Sequence, residues 1–301
     1  MAKALRIGYI TIEDPEDRKG WSGTNYHLLR ALEREAHVVA LGPLEPWVRN
    51  VLSASNYLLL RTTRKRFNYR DSITLSRAYA EILHEKLKNG EFDLLIAPAG
   101  LAAIAHLETD VPIVHINDRC LAGALDYHKI LSGLFDFSKK EGMEIERMAL
   151  SRAALNIYGS HWAADQAREH YPDLQEKITV IPFGANLDVF PEEPLERPLA
   201  QPLKLLFLGV KWEEKGGPIA YGALKKLRAQ GISAKLVICG CSPPIADDPD
   251  VLVEGFLDKG SPTQRAVLED HMRTADLLII PTRSRHMVSP FAKRRPIEFL
   301  C

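Results

Sequence analysis

Short apolar runs alternate with amphipathic stretches along most of this chain, and this alternation restricts its fold more than any other feature. We interpret the apolar runs as buried strands and the amphipathic stretches as helices. Strands joined through helices make right-handed crossovers, so the pattern predicts mostly parallel sheets in an α/β fold. The predicted strands are 5–10, 37–42, 92–98, 111–118, 155–160, 178–184, 203–209, 234–240, 251–256 and 276–281.

The predicted helices lie between these strands. Helix 24–35 has Tyr26, Leu29 and Leu32 at helical spacing, and Thr24 is its candidate N-cap. The other predicted helices are 79–90, 144–154, 162–171, 217–231 and 263–275.

A proline-rich break divides the alternation into two halves. The segment Pro191–Pro202 contains four prolines and few apolar residues, which is typical of an interdomain linker. We therefore predict a doubly wound, Rossmann-like domain at 1–190, a linker at 191–202 and a second such domain at 203–301. Two domains of this kind are expected to hold a ligand in a cleft that faces the carboxyl ends of both sheets.

Composition argues against several classes of function. Lysine plus arginine and aspartate plus glutamate both number 39, so the zero net charge predicts neither a nucleic acid nor an anionic membrane as partner. No apolar run is long enough to span a bilayer, and we expect no signal peptide. The four cysteines lack the spacing of a zinc site, so we expect reduced thiols in a cytoplasmic protein and no bound metal.

Two glycine-containing loops are candidates for binding a phosphate or a sugar. The segment Lys19–Asn25 joins the first strand to its helix, where glycines allow backbone N–H groups to approach a ligand. Gly20 and Gly23 are not spaced as in GxGxxG, which neither half contains; this argues against a dinucleotide-dependent dehydrogenase. A flexible surface turn explains this segment equally well. In the second half, Phe207–Gly217 places Lys215 and paired glycines before a helix, although a solvated lysine alone would also explain Lys215.

The ordered set of motifs resembles the retaining glycosyltransferases of family 4, which have two Rossmann-like domains in the GT-B fold. "VIPFGANLD" (Val180–Asp188) is similar to that family's strand–Pro–x–Gly–x–x–Asp segment, and "SHWAADQA" (Ser160–Ala167) to its Ser-led segment. The "KGG" loop and "ADLLIIPT" (Ala275–Thr282) follow in the family's order. The resemblance extends over nearly the whole chain up to Thr282. It implies a hexosyltransferase-type enzyme that moves a sugar from a nucleoside diphosphate sugar to a hydroxyl with retention of configuration.

The resemblance also implies the roles of single residues. Asp118, at the end of a strand, is the candidate catalytic residue that binds a sugar hydroxyl or positions the acceptor. A carboxylate that caps the next turn is an equally good interpretation. The candidate donor-binding residues are Gly20, Gly23, Thr24, Lys211, Lys215 and Gly216. Further candidates near the ligand are His115, Asn117, Ser160, His161, Gly184 and Asn186.

The implied partners are a nucleotide-sugar donor, held by the C-terminal half, and a saccharide or lipid-linked acceptor, held by the N-terminal half. Val210 stands where many members carry an arginine, with Lys211 beside it. The segments expected near the ligand contain no Asp-x-Asp motif, so the implied chemistry uses no metal or other cofactor. The resemblance implies polysaccharide or glycolipid synthesis in the cytoplasm. It leaves contact with the inner face of the membrane open.

The residues after Thr282 depart from the family, which continues with a Glu-bearing segment that binds the donor ribose. A back-translation of His286–Pro296, read two bases later, permits Tyr-Gly-Phe-Ala-Ile-Cys-Glu-Ala-Ser-Ala, which matches that segment. We therefore expect a frame-shifted and truncated C-terminal domain that binds nucleotide-sugars weakly and transfers little sugar. A divergent natural C-terminus is the alternative.

Two other functions stay open. A chain without the Glu-bearing segment would serve as a non-catalytic module that binds a saccharide or a protein. A nucleotide-sugar 2-epimerase has a similar fold but places its carboxylates and histidines differently. The pairing of "VIPFGANLD" with "KGG" argues against the epimerase.

Overall fold

The computed structural model describes residues 5–88, 90–127, 129–188, 199, 201–245 and 247–282. The chain divides into two compact units, Met1–Asn186 and Leu187–Cys301. Most of the predicted linker and the whole of the predicted frame-shifted tail lie outside the described residues, so both stay predictions.

The N-terminal unit is built on six parallel strands. They occur in the order β2-β1-β3-β4-β5-β6. The chain thus adds a strand on one side of β1 and then continues on the other side. This reversal creates a topological switch point between β1 and β3, where open α/β sheets bind ligands. The strands are β1 Arg6–Tyr9, β2 His37–Ala40, β3 Leu94–Pro98, β4 Ile113–Asn117, β5 Leu155–Tyr158 and β6 Ile178–Val180.

Helices cover both faces of this sheet. They are α1 Thr24–Leu32, α2 Val48–Thr63, α3 Ile73–Lys88, α4 Leu101–Ile104, α5 Leu121–Ala124, α6 Asp136–Arg152 and α7 His161–His170. The alternation of side chains along a strand divides the core between the two faces. In β3, for example, Leu95 packs in one apolar cluster and Ile96 in another.

Three differences from the predicted helices have physical reasons. Helix α6 begins well before the predicted residue 144, because Gly142 lies inside the helix and packs against Leu121 instead of ending it. Helix α3 begins at Ile73, whose N–H donates to the Glu141 side chain of α6 at 2.8 Å. Helix α2 was not predicted, because none of its residues is buried and apolar residues occur on its outer face too.

The C-terminal unit has a second parallel sheet, in the order β10-β7-β8-β9. Its core again lies on both faces, with Phe207 in one cluster and Leu206 in the other. Two doubly wound α/β units confirm the predicted fold class. The elements are β7 Leu203–Leu208, α8 Gly217–Ala229, β8 Ala234–Cys239, β9 Val251–Gly255, α9 Pro262–Thr274 and β10 Leu277–Leu278. Among the helices that the structure describes, none combines the length and apolar composition needed to cross a bilayer.

Candidate functional site

Apart from His115, which lies inside β4, the candidate residues of the N-terminal unit lie at or follow the carboxyl ends of strands. Because every strand of this sheet is parallel to its neighbours, these ends lie along one edge. The predicted residues therefore share that edge. Gly20, Gly23 and Thr24 follow β1, Asn117 and Asp118 end β4, Ser160 and His161 follow β5, and Gly184 and Asn186 follow β6.

The turn after β1 has an unusual backbone. Trp21 and Ser22 have φ of 46° and 60°, and Gly23 follows with φ of 92°. Positive φ is uncommon for residues other than glycine, and such strain concentrates at functional sites. Gly23 is the N-cap of α1, so the expectation that Thr24 caps this helix is wrong. Thr24 is the first helical residue, because the left-handed Gly23 already ends the turn.

The segment after β6 holds this turn in place. The Asn186 side-chain N–H donates to the Ser22 carbonyl at 3.2 Å and to the Thr24 hydroxyl at 3.1 Å. Trp21 and Phe183 contact edge to face with ring centroids 5.3 Å apart. Two segments that the sequence predicted separately are thus brought together. Gly184 is exposed, and a side chain there would meet no described atom within 4 Å.

The N-terminus of α1 has no side-chain cap and no neighbouring negative charge in its first turn. No side chain caps this helix and its first turn has no acidic residue, so its positive dipole end is not neutralised locally. Asn25 is buried, and no described residue donates a hydrogen bond to its side-chain oxygen. An unpaired buried acceptor is costly. Sequence reasoning did not single out this oxygen.

Asp118 has a half-buried carboxylate at the end of β4. Its own backbone N–H donates to the Asn117 side chain at 2.9 Å. No described residue forms a hydrogen bond or ion pair with the Asp118 carboxylate. The carboxylate is therefore available as an acceptor at the strand end.

The capping role considered for Asp118 belongs to Glu146 instead. Glu146 lies in α6, fully buried, and accepts the N–H groups of Leu121 at 2.6 Å and Ala122 at 2.8 Å. The Tyr171 hydroxyl donates to the same carboxylate at 2.9 Å. Burial raises the pKa of Glu146, and these hydrogen bonds oppose that shift. Sequence reasoning missed Glu146, because a glutamate in a charged helix normally faces water.

The remaining candidates of this unit have structural contacts. His115 is buried within the sheet and its Nδ1 lies 3.2 Å from Asn156 Oδ1. Burial lowers the pKa of His115 to about 4, so its imidazole is neutral at pH 7. The Ser160 hydroxyl accepts the Ala163 N–H at 3.3 Å and so caps α7, whose first residue is the exposed His161. The Asp118 carboxylate, by contrast, has no hydrogen-bond donor among the described residues.

The loop after β7 in the C-terminal unit contains the two predicted lysines. Lys211 pairs with Glu214 at 3.0 Å, whereas Lys215 has no acidic partner among the described residues. The Lys215 side chain packs over Gly209, where an added Cβ would lie 2.9 Å from Lys215 Cγ. The charge of Lys211 is thus neutralised by its ion pair, whereas the charge of Lys215 is available.

The paired glycines after Lys215 fit because they lack side chains. Gly216 has φ of 75°, and a Cβ there would overlap the carbonyl oxygen of Pro281. A Cβ on Gly217 would overlap the ring of Trp212. The N–H groups of Gly216 and Gly217 donate to loop carbonyls at 3.2 and 2.8 Å. Both N–H groups are thus bonded within the loop, and the donor-binding role of Gly216 stays a prediction.

The comparison with protein families decides the family of this chain. The model described as "Glycosyltransferase Family 4" matches residues 21–189, more than half of the chain. The chain belongs to glycosyltransferase family 4. Its two Rossmann-like units agree with the GT-B fold class that the resemblance implied. The family indicates glycosyl transfer in general. The matched residues include the turn after β1, Asp118 and Asn186.

Solved structures similar to this family 4 chain include a glycosyltransferase, the protein TarM and an epimerase. The glycosyltransferase SnogD from Streptomyces nogalater is 13% identical, with a TM-score of 0.40, over 92% of this chain and 76% of that chain. TarM is 11% identical, with a TM-score of 0.41, and the match covers 65% of this chain and 38% of that chain. A UDP-N-acetylglucosamine 2-epimerase is 14% identical, with a TM-score of 0.45, and the match covers 92% of this chain and 74% of that chain. A search of curated proteins gives no match.

Proposed function

We propose that this family 4 member transfers a hexose from a nucleoside diphosphate sugar to a hydroxyl of a saccharide or lipid-linked acceptor, with retention of configuration. The observation that carries the proposal is the free Asp118 carboxylate at the end of β4. Glu146 satisfies the backbone of the following turn, so Asp118 has no structural partner among the described residues. A half-buried carboxylate of this kind accepts a hydrogen bond from a sugar hydroxyl and so orients it.

In the proposal, Lys215 neutralises the diphosphate of the donor. Lys215 directly precedes Gly216, the N-cap of α8, and no side chain caps this helix. A positive charge and a helix N-terminus together stabilise the charge that develops on a leaving diphosphate. Lys211 contributes less, because Glu214 already pairs with it. Lysine supplies this charge without a metal ion, and the segments predicted to lie near the ligand contain no Asp-x-Asp motif.

The turn after β1 binds sugar hydroxyls in the same proposal. Asn186 holds the turn by two hydrogen bonds. Positions that are held rigidly before the substrate arrives lose little entropy on binding. Polysaccharide or glycolipid synthesis is the role that the family implies.

Ligand-observed nuclear magnetic resonance would test the donor site, because it detects weak binding. We expect UDP or GDP to bind the wild-type chain, and Lys215→Ala to reduce the affinity by about tenfold, the usual effect of removing a hydrogen-bonded charge. Lys211→Ala is the matched control and should bind nearly as the wild type does. Equal binding by Lys215→Ala would contradict the proposed role of Lys215. A micromolar affinity of the wild type would contradict the predicted weakening by the tail.

A second experiment tests the role of Asp118. A panel of UDP- and GDP-sugars would be incubated with candidate acceptors, and the anomeric configuration of the product would be read by nuclear magnetic resonance. We expect Asp118→Asn to lower transfer without changing nucleotide affinity. An inverted product would contradict retention. Binding without any transfer would favour the alternative of a non-catalytic saccharide-binding module.

A further inference from the structure

Two aromatic side chains lie near each other at the carboxyl edge of the first sheet. Tyr127 belongs to the segment between the end of β4 and the start of α6, and Trp162 lies in the first turn of α7, directly after β5. Strands β4 and β5 are parallel neighbours, so both segments lie at the edge that carries Asp118 and Ser160. The ring centroids of Tyr127 and Trp162 are 6.4 Å apart, with 47° between the ring planes. Neither residue was among the predicted site residues.

One ring of this pair is open to solvent and the other is fixed to the core. Tyr127 is 44% exposed, whereas Trp162 is half-buried and packs against the main apolar cluster of the unit. Aromatic rings have more apolar area to bury than most other side chains, so an exposed ring beside a fixed one offers a surface to a ligand. We refer to Tyr127 and Trp162 together as the aromatic platform.

Several contacts hold the loop that carries Tyr127. Asp126 has φ of 57°, which residues other than glycine rarely adopt. The Lys139 ammonium of α6 donates to the Asp126 carboxylate at 2.5 Å. Gly123 packs so closely on α7 that an added Cβ would lie 2.5 Å from Gln166 Oε1. A strained backbone that its surroundings hold in place is typical of a functional site.

The same segment connects the platform to the strand-end carboxylate. Helix α5 lies between Asp118 and Tyr127, and Glu146 accepts the N–H groups of its residues Leu121 and Ala122. Asp118 and the platform therefore lie on one segment that buried contacts hold in position. This places a hydrogen-bond acceptor and an apolar surface at the same edge of the sheet.

The surroundings of the platform indicate which ligand it suits. A pyranose ring has a face of C–H groups, which the negative face of an aromatic ring attracts, and a rim of hydroxyls. Polar side chains border the platform, since the exposed His161 precedes Trp162 and the exposed Asp126 precedes Tyr127. A hydrocarbon chain would instead remove these polar groups from water without giving them a partner. The arrangement therefore favours a sugar ring over a lipid chain.

We propose that the aromatic platform is a stacking surface for a sugar ring of the acceptor. The inference rests on the proposed function and narrows its acceptor to one that is recognised through a saccharide. The apolar face of the sugar packs on the Tyr127 ring, and its hydroxyls lie toward the polar side chains at this edge. The sugar is either a free saccharide or the saccharide part of a lipid-linked acceptor.

Nuclear magnetic resonance of the indole N–H groups would test the platform in the full chain, which contains four tryptophans. The probes are methyl α-glucoside, methyl α-mannoside and methyl β-galactoside at millimolar concentration. We expect at least one probe to shift the Trp162 resonance, which W162F identifies, and to leave the Trp47 resonance unchanged. Trp47 is 79% exposed and reports nonspecific contact. The absence of any Trp162 shift, or equal shifts of both resonances, would overturn the proposal.

Substitutions of Tyr127 separate stacking from a structural role. Y127A should weaken binding of the probe by about tenfold, and Y127F, which keeps the ring, should bind as the wild type does. Y127L keeps apolar packing without an aromatic face and should also weaken binding, which guards against an unfolded Y127A. The matched control Y57A removes an exposed tyrosine of α2 and should have no effect. Equal binding by Y127L and Y127F, or equal weakening by Y127A and Y57A, would refute stacking on this ring.

Octyl glucoside, used below its micelle concentration, distinguishes the two sources of the sugar. Affinity equal to that of methyl glucoside supports a free saccharide, and tighter binding supports a lipid-linked one, provided that Y127A weakens both. If octanol alone shifts the Trp162 resonance as strongly as the glycosides do, the platform binds a lipid chain and the proposal is wrong.

A transfer assay separates this inference from the proposed function. Y127A should raise the KM of the acceptor by about tenfold and leave the KM of the nucleotide-sugar unchanged. Transfer with an unchanged acceptor KM would refute the stacking surface alone. A chain that binds the methyl glycosides through the platform but transfers no sugar would refute the transfer reaction and leave the stacking surface in place.

Discussion

Asp118 and Glu146 are two carboxylates near the end of β4, and their different surroundings give them different roles. The Asp118 carboxylate is half-buried with no partner among the described residues, and the fully buried Glu146 carboxylate has four donors, one of them the Cys120 thiol. The sequence identified Asp118 as a strand-end carboxylate but left its role open between ligand and cap. In the structure Glu146 accepts the backbone N–H groups of Leu121 and Ala122 in the turn that follows, and the ligand role of Asp118 stays a prediction.

The first prediction concerns Glu146. Glu146→Gln leaves one oxygen for two backbone N–H groups, so we expect a loss of about 1–3 kcal/mol in the free energy of unfolding. We also expect lower transfer activity, because the turn that follows Asp118 loses a hydrogen bond. Urea unfolding and a transfer assay would measure these effects. Glu144→Gln, an exposed position of the same helix, is the control. Equal effects of the two substitutions would contradict this assignment.

The second prediction concerns pH. Burial lowers the pKa of His115 from 6.5 to about 4, so the unfolded chain binds the proton more tightly than the folded chain. Stability from the neutral imidazole is present above pH 6.5 and is lost as the pH falls toward 4. Between pH 7 and pH 5 this loss amounts to about 2 kcal/mol.

Hydrogen exchange in urea, measured on peptides that contain β4, would detect this loss. In His115→Gln the difference between pH 7 and pH 5 should shrink by that amount, since glutamine does not titrate. An unchanged pH dependence would show that His115 does not contribute in this window.

Two loops, one before α1 and one before α8, each lead the backbone into a helix N-terminus. Different contacts hold the two loops in place. The first uses left-handed Trp21 and Ser22, held by Asn186, and the second uses glycines that pack directly on Pro281 and Trp212. The sequence predicted both loops from their glycines. It did not predict which glycine contacts which partner, because those partners are distant along the chain.

The third prediction tests the second loop. Gly216→Ala would overlap the Pro281 carbonyl and would place alanine at φ of 75°, so we expect the C-terminal unit to lose more than about 1 kcal/mol. Thermal unfolding and nucleotide binding should both weaken. Gly222→Ala is the control, because an added methyl group there meets no atom within 4 Å. Within a helix it should be neutral or stabilising by up to about 1 kcal/mol. The same result for both variants would contradict the packing argument.

At the scale of the whole molecule, each unit has its own core. The apolar clusters of the first unit end at Phe183, and those of the second unit begin at Leu203. No described cluster is shared. Each unit therefore has the buried apolar surface that independent folding requires.

The fourth prediction follows from these separate cores. A fragment of residues 1–186 should unfold cooperatively, as followed by circular dichroism, because its sheet and both clusters are complete. A fragment of residues 1–180 lacks Phe183 and Asn186, which hold the turn after β1, and should unfold at a lower temperature. A fragment 1–186 without a cooperative transition would show that the first unit depends on the second.

The sequence by itself determined the strands, most helices, the two-unit α/β class and the family, because the periods of apolar residues and the order of the motifs are local properties. It also placed Asp118, Asn186 and Lys215 in the segments that follow β4, β6 and β7. The tertiary structure alone decided that Glu146 caps the turn beside Asp118, that Asn186 holds the turn after β1, and that Lys215 has no acidic partner among the described residues. These facts depend on contacts between residues far apart in the chain, which the period of a single segment cannot encode.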